Sequence, residues 1–241
     1  MTFETYAYSS SGGRNNNEDF CVYRNGVWVL ADGLGGHDCG EVASETGATA
    51  AVQLVDEKGI SLDDQFLADI LSTANHSVIA KQAEDESLKG MRTTIVMAIS
   101  DGSSVRYANV GDSRFYYFRN GFLEYQSEDH SVSALSAKLG DISYDDIRGD
   151  DDRNKLLKVL GNEEGLNVTL PDDIIPAQSG DAFLLCSDGF WEYVHEREME
   201  IDLAKSANPK EWLHYMIKRI ILRTHNIGND NFTAIGVMIS D

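Results

Sequence analysis

Two asparagine-glycine pairs, Asn25-Gly26 in YRNGVW and Asn120-Gly121 in FRNGFL, constrain this chain more than any other feature. Asn and Gly tolerate the left-handed backbone that a two-residue hairpin turn demands. Each pair therefore predicts that its flanking segments fold back on each other antiparallel. The segment Ser100–Ser104 (SDGSS) joins two more runs in the same way. Short runs rich in β-branched and aromatic residues predict strands over Thr2–Ser9, Asp19–Arg24, Val27–Ala31, Thr93–Ser100, Ser104–Val110, Arg114–Arg119, Ala182–Cys186 and Phe232–Ile239.

The helical patterns fall in separate blocks. Gly40–Asp56 carries small and apolar residues at helical spacing. Leu62–Asp85 follows Ser61, a suitable N-cap, and opens with Asp63 and Asp64 at its positive end. Late in the chain Arg197–Ser206 and Lys210–Thr224 read as helices, the second with an apolar stripe of Trp212, Tyr215, Met216, Ile220 and Ile221. Meandering strands with helices in blocks predict an α+β fold, two antiparallel sheets face to face with helices outside each. No linker or repeat divides residues 1–241, so one domain is expected. Ser131–Gly165 stands apart: the acidic cluster Asp145–Asp152 interrupts two short helical pieces, which reads as a mobile surface flap near a site.

Forty acidic residues against 20 basic ones give a net charge of −20, which argues against nucleic acid or an anionic membrane as a partner. A phosphorylated substrate would need local positive charge. The three cysteines, Cys21, Cys39 and Cys186, form no CxxC pair and suggest reduced thiols in the cytoplasm. The N-terminus lacks a basic region followed by an apolar one, so no signal peptide is expected. No apolar run approaches the roughly 18 residues of a membrane span.

Four aspartates punctuate the strands: Asp32 in VLADGLGGH, Asp112 in NVGDSR, Asp188 in LLCSDGFW and Asp230 in GNDNFT. Carboxylates at strand ends can converge, and converging carboxylates repel unless a cation lies between them. DGLGG lacks the Lys-Ser/Thr of a phosphate loop and the spacing of a dinucleotide site. Asp32 instead ends a strand, and Gly33 turns sharply and offers its carbonyl. Both are hard oxygen ligands suited to Mg2+ or Mn2+, and the two oxygens of Asp32 can bridge two ions. In RNNNED, Arg14 supplies a guanidinium suited to a phosphate beside the acids Glu18 and Asp19.

Taken in order, RNNNED, ADGLGGH followed by GEVAS, MRTT, ANVGDSR, EDHS, the segment from Arg153-Asn154 to LG, LLCSDGFW and DNFT resemble protein phosphatase 2C, the metal-dependent Ser/Thr phosphatases, in a compact bacterial form. The resemblance spans residues from about 8 to 239. It implies a four-layer α-β-β-α sandwich around a two-metal centre. Asp32 would bridge the ions, and the Gly33 carbonyl would bind one of them. Asp188 and Asp230 would bind the other. Glu18 and Asp19 would hold metal-bound waters, Glu18 the more directly, and Arg14 would grip the phosphate. Asp112 would help to bind a weaker third ion. Asn231 and Thr233 would support the turn.

Two ions about 3.5–4 Å apart would hold a hydroxide that attacks phosphorus in line. The implied partners are phosphorylated Ser/Thr proteins, with a bacterial Ser/Thr kinase opposed, and a monomer is expected. The chain departs from the family at several points. Leu34 stands where eukaryotic members have a proton-donating His. Arg92 in MRTT replaces a Gly near the site, where it would either contact substrate or, the favoured expectation, pair with surface acids. Arg153-Asn154 follows Asp150–Asp152 where His-Pro is common. His37 should point away from the metals, and His130 should be buried and hydrogen-bonded. One alternative is a non-catalytic phosphoprotein-binding member of the same fold. Another, a serine hydrolase using Ser113 of GDSR, lacks the motif positions that such a fold needs.

Overall fold

The central strands are apolar on both faces, so both faces must be covered. All six residues of Ile95–Ser100 and all five of Ala182–Cys186 are buried. The computed structural model describes residues 1–34, 39–163, 166, 170–171 and 174–241. Its strands are β1 (Thr2–Ser10), β2 (Asp19–Arg24), β3 (Val27–Leu34), β4 (Arg92–Thr93), β5 (Ile95–Ser100), β6 (Ser104–Val110), β7 (Arg114–Arg119), β8 (Phe122–Gln126), β9 (Ile175–Pro176), β10 (Ala182–Cys186) and β11 (Phe232–Ser240). One antiparallel sheet runs β1-β11-β10-β7-β8 and the other β2-β3-β5-β6-β9, with β4 added to β3. The helices are α1 (Gly40–Lys58), α2 (Asp64–Gln82), α3 (Val132–Leu139), α4 (Asp188–Trp191), α5 (Glu196–Ala204) and α6 (Pro209–Arg223).

Three separate cores mark the three interfaces of a four-layer sandwich. Alternate residues of each strand serve different cores, as the pleat requires. In β3, Val29 and Ala31 face α1 and α2, where they meet Ala48, Ile70 and Val78. Trp28 and Leu30 face the other sheet. In β10, Leu184 and Cys186 pack on the second helical layer with Trp212 and Met216, while Phe183 and Leu185 point between the sheets. Phe183 is the hub of the inter-sheet core, with ring centroids 4.9 Å from Trp28 and 5.8 Å from Phe115.

Several expectations needed correction. The two look-alike turns differ: Asn120 and Gly121 both have positive φ, 52° and 81°, whereas at Asn25-Gly26 only the glycine does, at 77°. The run after Gly121 is a strand, β8, although its every-second-residue exposure carries little apolar signal. The two-residue strand β9 is too short to read from pattern. The predicted strand Thr93–Ser100 is broken at Thr94, whose amide and hydroxyl bond to Asp32 instead, at 2.8 and 3.1 Å. Helix α2 starts two residues later than expected and is capped by Asp63, which accepts from the Phe66 amide at 2.7 Å. Ser61 donates to Asp63 rather than capping. In α6 the buried stripe is Trp212, Leu213, Met216, Ile217 and Ile220, while Ile221 is 54% exposed.

The acidic segment after residue 131 is tied down through its described part. Ser131 bridges Leu156, Leu160 bridges Thr93, and Ile147 is buried. Residues 164–165 of the expected flap lie outside the described residues. Phe183→Ala should empty the inter-sheet hub and cost about 3–5 kcal/mol. Chemical denaturation would measure this as a lowered midpoint at unchanged slope.

Candidate metal centre

Strand register brings the aspartates to one end of the sandwich. In the first sheet Cys186 pairs with both Ala234 and Arg114, so the C-terminal end of β10 lies between the start of β11 and the start of β7. Asp188, Asp230 and Asp112 follow or precede those residues by a few positions. In the second sheet Asp19 pairs with Asp32, and Ile95 pairs with Val110. Asp32 thus reaches the same edge from the opposite layer.

The result is a cleft of about 410 Å3 lined by Arg14, Glu18, Asp32, Gly33, Asp112, Asp188 and Asp230, together with Leu34, Asn154, Leu156 and Asn231. Seven of the eight residues singled out from sequence line it. Asp19 does not. It is buried behind the cleft, where Oδ2 accepts from the Ser187 hydroxyl at 2.8 Å. Its Oδ1 is buried with no hydrogen-bond partner.

Gly33 does not make the expected turn. β3 continues through it, and Gly33 and Leu34 pair with Thr93 and Arg92 of β4. The glycine is required by close approach instead, since a Cβ there would run into the carbonyl oxygens of Gly40 and Glu18. Gly40 in turn leaves room for the Glu18 carboxylate at the first turn of α1. A carboxylate is favoured there by the helix dipole. Asn231 organises the loop carrying Arg14 and Glu18. Its side chain accepts from the Glu18 amide at 2.8 Å and donates to the carbonyls of Ser11 and Asn16 at 3.0 and 2.8 Å.

The acids strongly perturb one another. Burial raises the Asp32 carboxyl well above its usual range, and the charges of Asp19, Asp188 and Asp112 add to this. Asp188 is pushed up to about 7 by burial and then by Glu192, Asp230 and Asp19. Asp19 rises to about 6, chiefly through burial, despite hydrogen bonds from Thr233 and Ser187. Asp112 is raised by burial, then by Asp188 and Asp129. Among the described residues no three His, Cys, Asp or Glu side chains form a close-set metal cluster. Ions such as Mg2+ need no such cluster, because they retain waters and use one or two carboxylates each. Hard oxygen donors, shared negative charge and an orphaned buried oxygen on Asp19 fit divalent cations of this kind.

Other expectations fared differently. Arg14 Nη2 bonds to Asp230 Oδ2 at 2.8 Å, and both side chains are substantially exposed. Arg92 meets no surface acid among the described residues; it donates to the carbonyls of Met91 and Lys89, at 2.8 and 3.2 Å. His130 accepts from the Gly111 amide at 3.3 Å, and burial lowers it to about 4. His37 lies outside the described residues. A second cavity of about 420 Å3 adjoins the first, sharing Arg14, Asn154, Asp188 and Asp230 and adding Arg153, Glu192 and Tyr193. Arg153 Nε donates to Glu192 Oε1 at 2.6 Å. Glu192 was missed from sequence, although its place four residues after Asp188 puts both on one helical face.

The model of the protein phosphatase 2C family matches residues 11–219. The chain belongs to that family. It is 35% identical to the serine/threonine phosphatase stp of Listeria welshimeri over 236 residues, covering 92% of this chain and 90% of that protein. The crystal structure of the serine/threonine phosphatase Stp1 from Staphylococcus aureus superimposes with a TM-score of 0.88 at 28% identity, covering 100% of this chain and 96% of that one. The catalytic domain of the phosphatase PstP in complex with two manganese ions superimposes with a TM-score of 0.84 at 26% identity, covering 99% of each chain. This protein is thus a protein-serine/threonine phosphatase with the α-β-β-α sandwich of its relatives. No helix among the described residues is long and apolar enough to cross a membrane.

Proton linkage follows from the raised acids. A carboxyl raised in the folded state takes up its proton there before the unfolded chain does. Protonation therefore favours the fold, and that stability is lost as pH rises through the folded value. For Asp19 and Asp188 the window runs from about 7 down to the ordinary carboxylate range near 3.8. The metal-free protein should melt at higher temperature at pH 5 than at pH 7.5. Saturating Mn2+ should flatten or invert that trend, as scanning calorimetry at each pH would record.

Proposed function

We propose that this chain removes phosphate from phosphoserine and phosphothreonine in proteins, using two divalent ions held in the aspartate-lined cleft. The convergence of Arg14, Glu18, Asp32, Gly33, Asp112, Asp188 and Asp230 on one cavity carries this reading. Asp32, the Gly33 carbonyl, Asp188 and Asp230 would hold the two ions through hard oxygen atoms. Glu18, against the first turn of α1, and the buried Asp19 would accept hydrogen bonds from coordinated waters. Asp112 would help to hold a third, weaker ion. The ions would supply Lewis-acid charge and a hydroxide-strength nucleophile at neutral pH. The manganese bound by PstP favours Mn2+, although the donor set accepts Mg2+ equally.

The protein's own groups set the rest. Arg14 now rests on Asp230. Once Asp230 ligates a cation, the guanidinium can turn to the non-bridging oxygens of the phosphate and balance charge in the transition state. Leu34 on the cleft wall has no proton to give, so we assign the proton for the departing Ser or Thr oxygen to water in the cleft. Asn154 and Leu156 line the cleft, which gives this part of the acidic segment a role in shaping the substrate site. A phosphoprotein substrate implies a Ser/Thr kinase acting in the opposite direction, and we take the enzyme as a one-domain monomer in the cytoplasm.

With p-nitrophenyl phosphate or a phosphothreonine peptide, EDTA should abolish turnover and Mn2+ should restore it. Asp32→Ala and Asp188→Ala should each lower kcat by roughly a hundredfold or more. Both should keep the native circular dichroism, and their metal-free forms should be no less stable, because a repelling charge has gone. Wild-type activity in either variant would refute the metal assignment. Arg14→Ala should weaken kcat/KM by about ten- to a hundredfold, the worth of a charge-assisted hydrogen bond. An unchanged kcat/KM would remove Arg14 from the phosphate site.

A further inference from the structure

Behind Asp112 lies a buried stack that the mechanism above does not use. The indole Nε1 of Trp191 donates to the backbone carbonyl of Asp112 at 2.9 Å. The Arg114 guanidinium lies on the indole, its Cζ 3.5 Å from the ring centroid. Arg114 is itself fixed by a two-pronged bond to Asp129, from Nε at 2.8 Å and from Nη2 at 2.6 Å. Its Nη1 donates to the Tyr116 hydroxyl at 3.2 Å, and that hydroxyl donates to Glu196 at 3.2 Å. Arg148 reaches the same Glu196 at 2.5 Å, with its Cζ 5.4 Å from the indole centroid. Trp191 and Arg114 are 1% and 4% exposed.

The stack fixes one backbone position from two directions. Trp191 belongs to α4, which begins at Asp188, so its bond ties Asp112 to Asp188. On the other side the Ser113 hydroxyl meets the Thr94 hydroxyl at 2.7 Å, and Thr94 accepts from the Asp32 amide at 3.1 Å. Asp112 is therefore referenced to both layers that carry the other acids. A cation with few protein ligands depends on the placement of each one, and coordination tolerates errors of only a fraction of an ångström.

We propose that Trp191, braced by Arg114, is a positioning residue for Asp112 and sets the affinity of the weaker third ion without changing that of the two core ions. This rests on the reading of Asp112 as a ligand of that ion. The buried arginine then has a use beyond packing: it holds the indole plane so that its N–H meets the carbonyl.

The test compares Trp191→Phe, Asp112→Asn and Trp212→Phe with the wild type in the full chain. Trp212 is the internal control, since its Nε1 donates to the Met199 carbonyl at 3.0 Å and it does not line the cleft. Mn2+ binding would be read by calorimetry and by the paramagnetic resonance of free Mn2+. Activity on p-nitrophenyl phosphate would be followed against Mn2+ concentration. Trp191→Phe keeps an aromatic face for Arg114 but loses the N–H donor, and it should weaken the low-affinity Mn2+ phase by roughly three- to tenfold. Tight binding, the KM for substrate and kcat at saturating Mn2+ should stay unchanged. Trp212→Phe should lose similar thermal stability with no change in Mn2+ dependence.

If Asp112→Asn keeps the weak phase, the ligand reading of Asp112 fails and the inference goes with it. If Asp112→Asn loses the phase and Trp191→Phe retains wild-type affinity, the positioning role alone is wrong. An equal shift in Trp212→Phe would also overturn it, because general loosening would then be the cause. Should Trp191→Phe not fold, Arg114→Lys decides by the same readout. It keeps a cation beside Asp129 but removes the flat stack, so the same selective weakening is expected and its absence counts against the proposal.

Discussion

Gathering buried carboxylates at one end of the sandwich sets the terms for everything around them: burial disfavours their charged forms, and neighbouring acids add repulsion. Asp19, Asp32, Asp112 and Asp188 all stand above the ordinary carboxylate range, chiefly because they are buried, and the charge of at least one neighbouring acid adds to this in each. A fold does not gather such groups without support. Here the support comes from backbone geometry rather than from neutralising side chains. Arg14 is the one cation that contacts the acids of the cleft directly among the described residues, and it does so from an exposed position.

The supporting contacts share a style. Small residues let chains approach, as at Gly33 and Gly40. Side-chain hydroxyls and amides satisfy backbone amides and, at Asp19, a buried carboxylate oxygen. Thr94 serves Asp32, Ser187 serves Asp19, and Asn231 holds the loop of Glu18. Buried polar groups with complete partners fix geometry because every alternative leaves a donor or acceptor unsatisfied. The two-sheet sandwich then acts as a rigid frame, with the aromatic core around Phe183 between its layers.

Much of this was legible in the sequence, and the exceptions are instructive. Strands β2, β6, β7 and β10 were readable to the residue because turn signals and apolar runs coincide there. β8 was not, because it lies at a sheet edge and alternates between half-buried and exposed positions. The Ser61 cap failed because Ser and Asp residues crowd positions 61–64, and only the path of the chain selects Asp63. The aspartates were recognisable as a set from their places at strand ends. The order of Glu18 and Asp19 came from the resemblance, which made Glu18 the more direct; local pattern alone gives no such order, because the two neighbours have the same chemistry, and the structure buries Asp19 behind the cleft. Arg92 was expected to meet acids on charge grounds, yet nearby carbonyls satisfy it.

The sequence alone carries most strand and helix positions and the hard-oxygen chemistry of acids at strand ends. These follow from short-range sterics and hydrophobic pattern, which each segment carries alone. Tertiary packing sets the rest: Gly33 continues a strand, Arg14 rests on Asp230, Glu192 and Arg153 form the wall of a second cavity, and Trp191 reaches Asp112 from behind. Each of these depends on the register between strands distant in sequence. Register is set by how all the layers pack together, so no single segment encodes it.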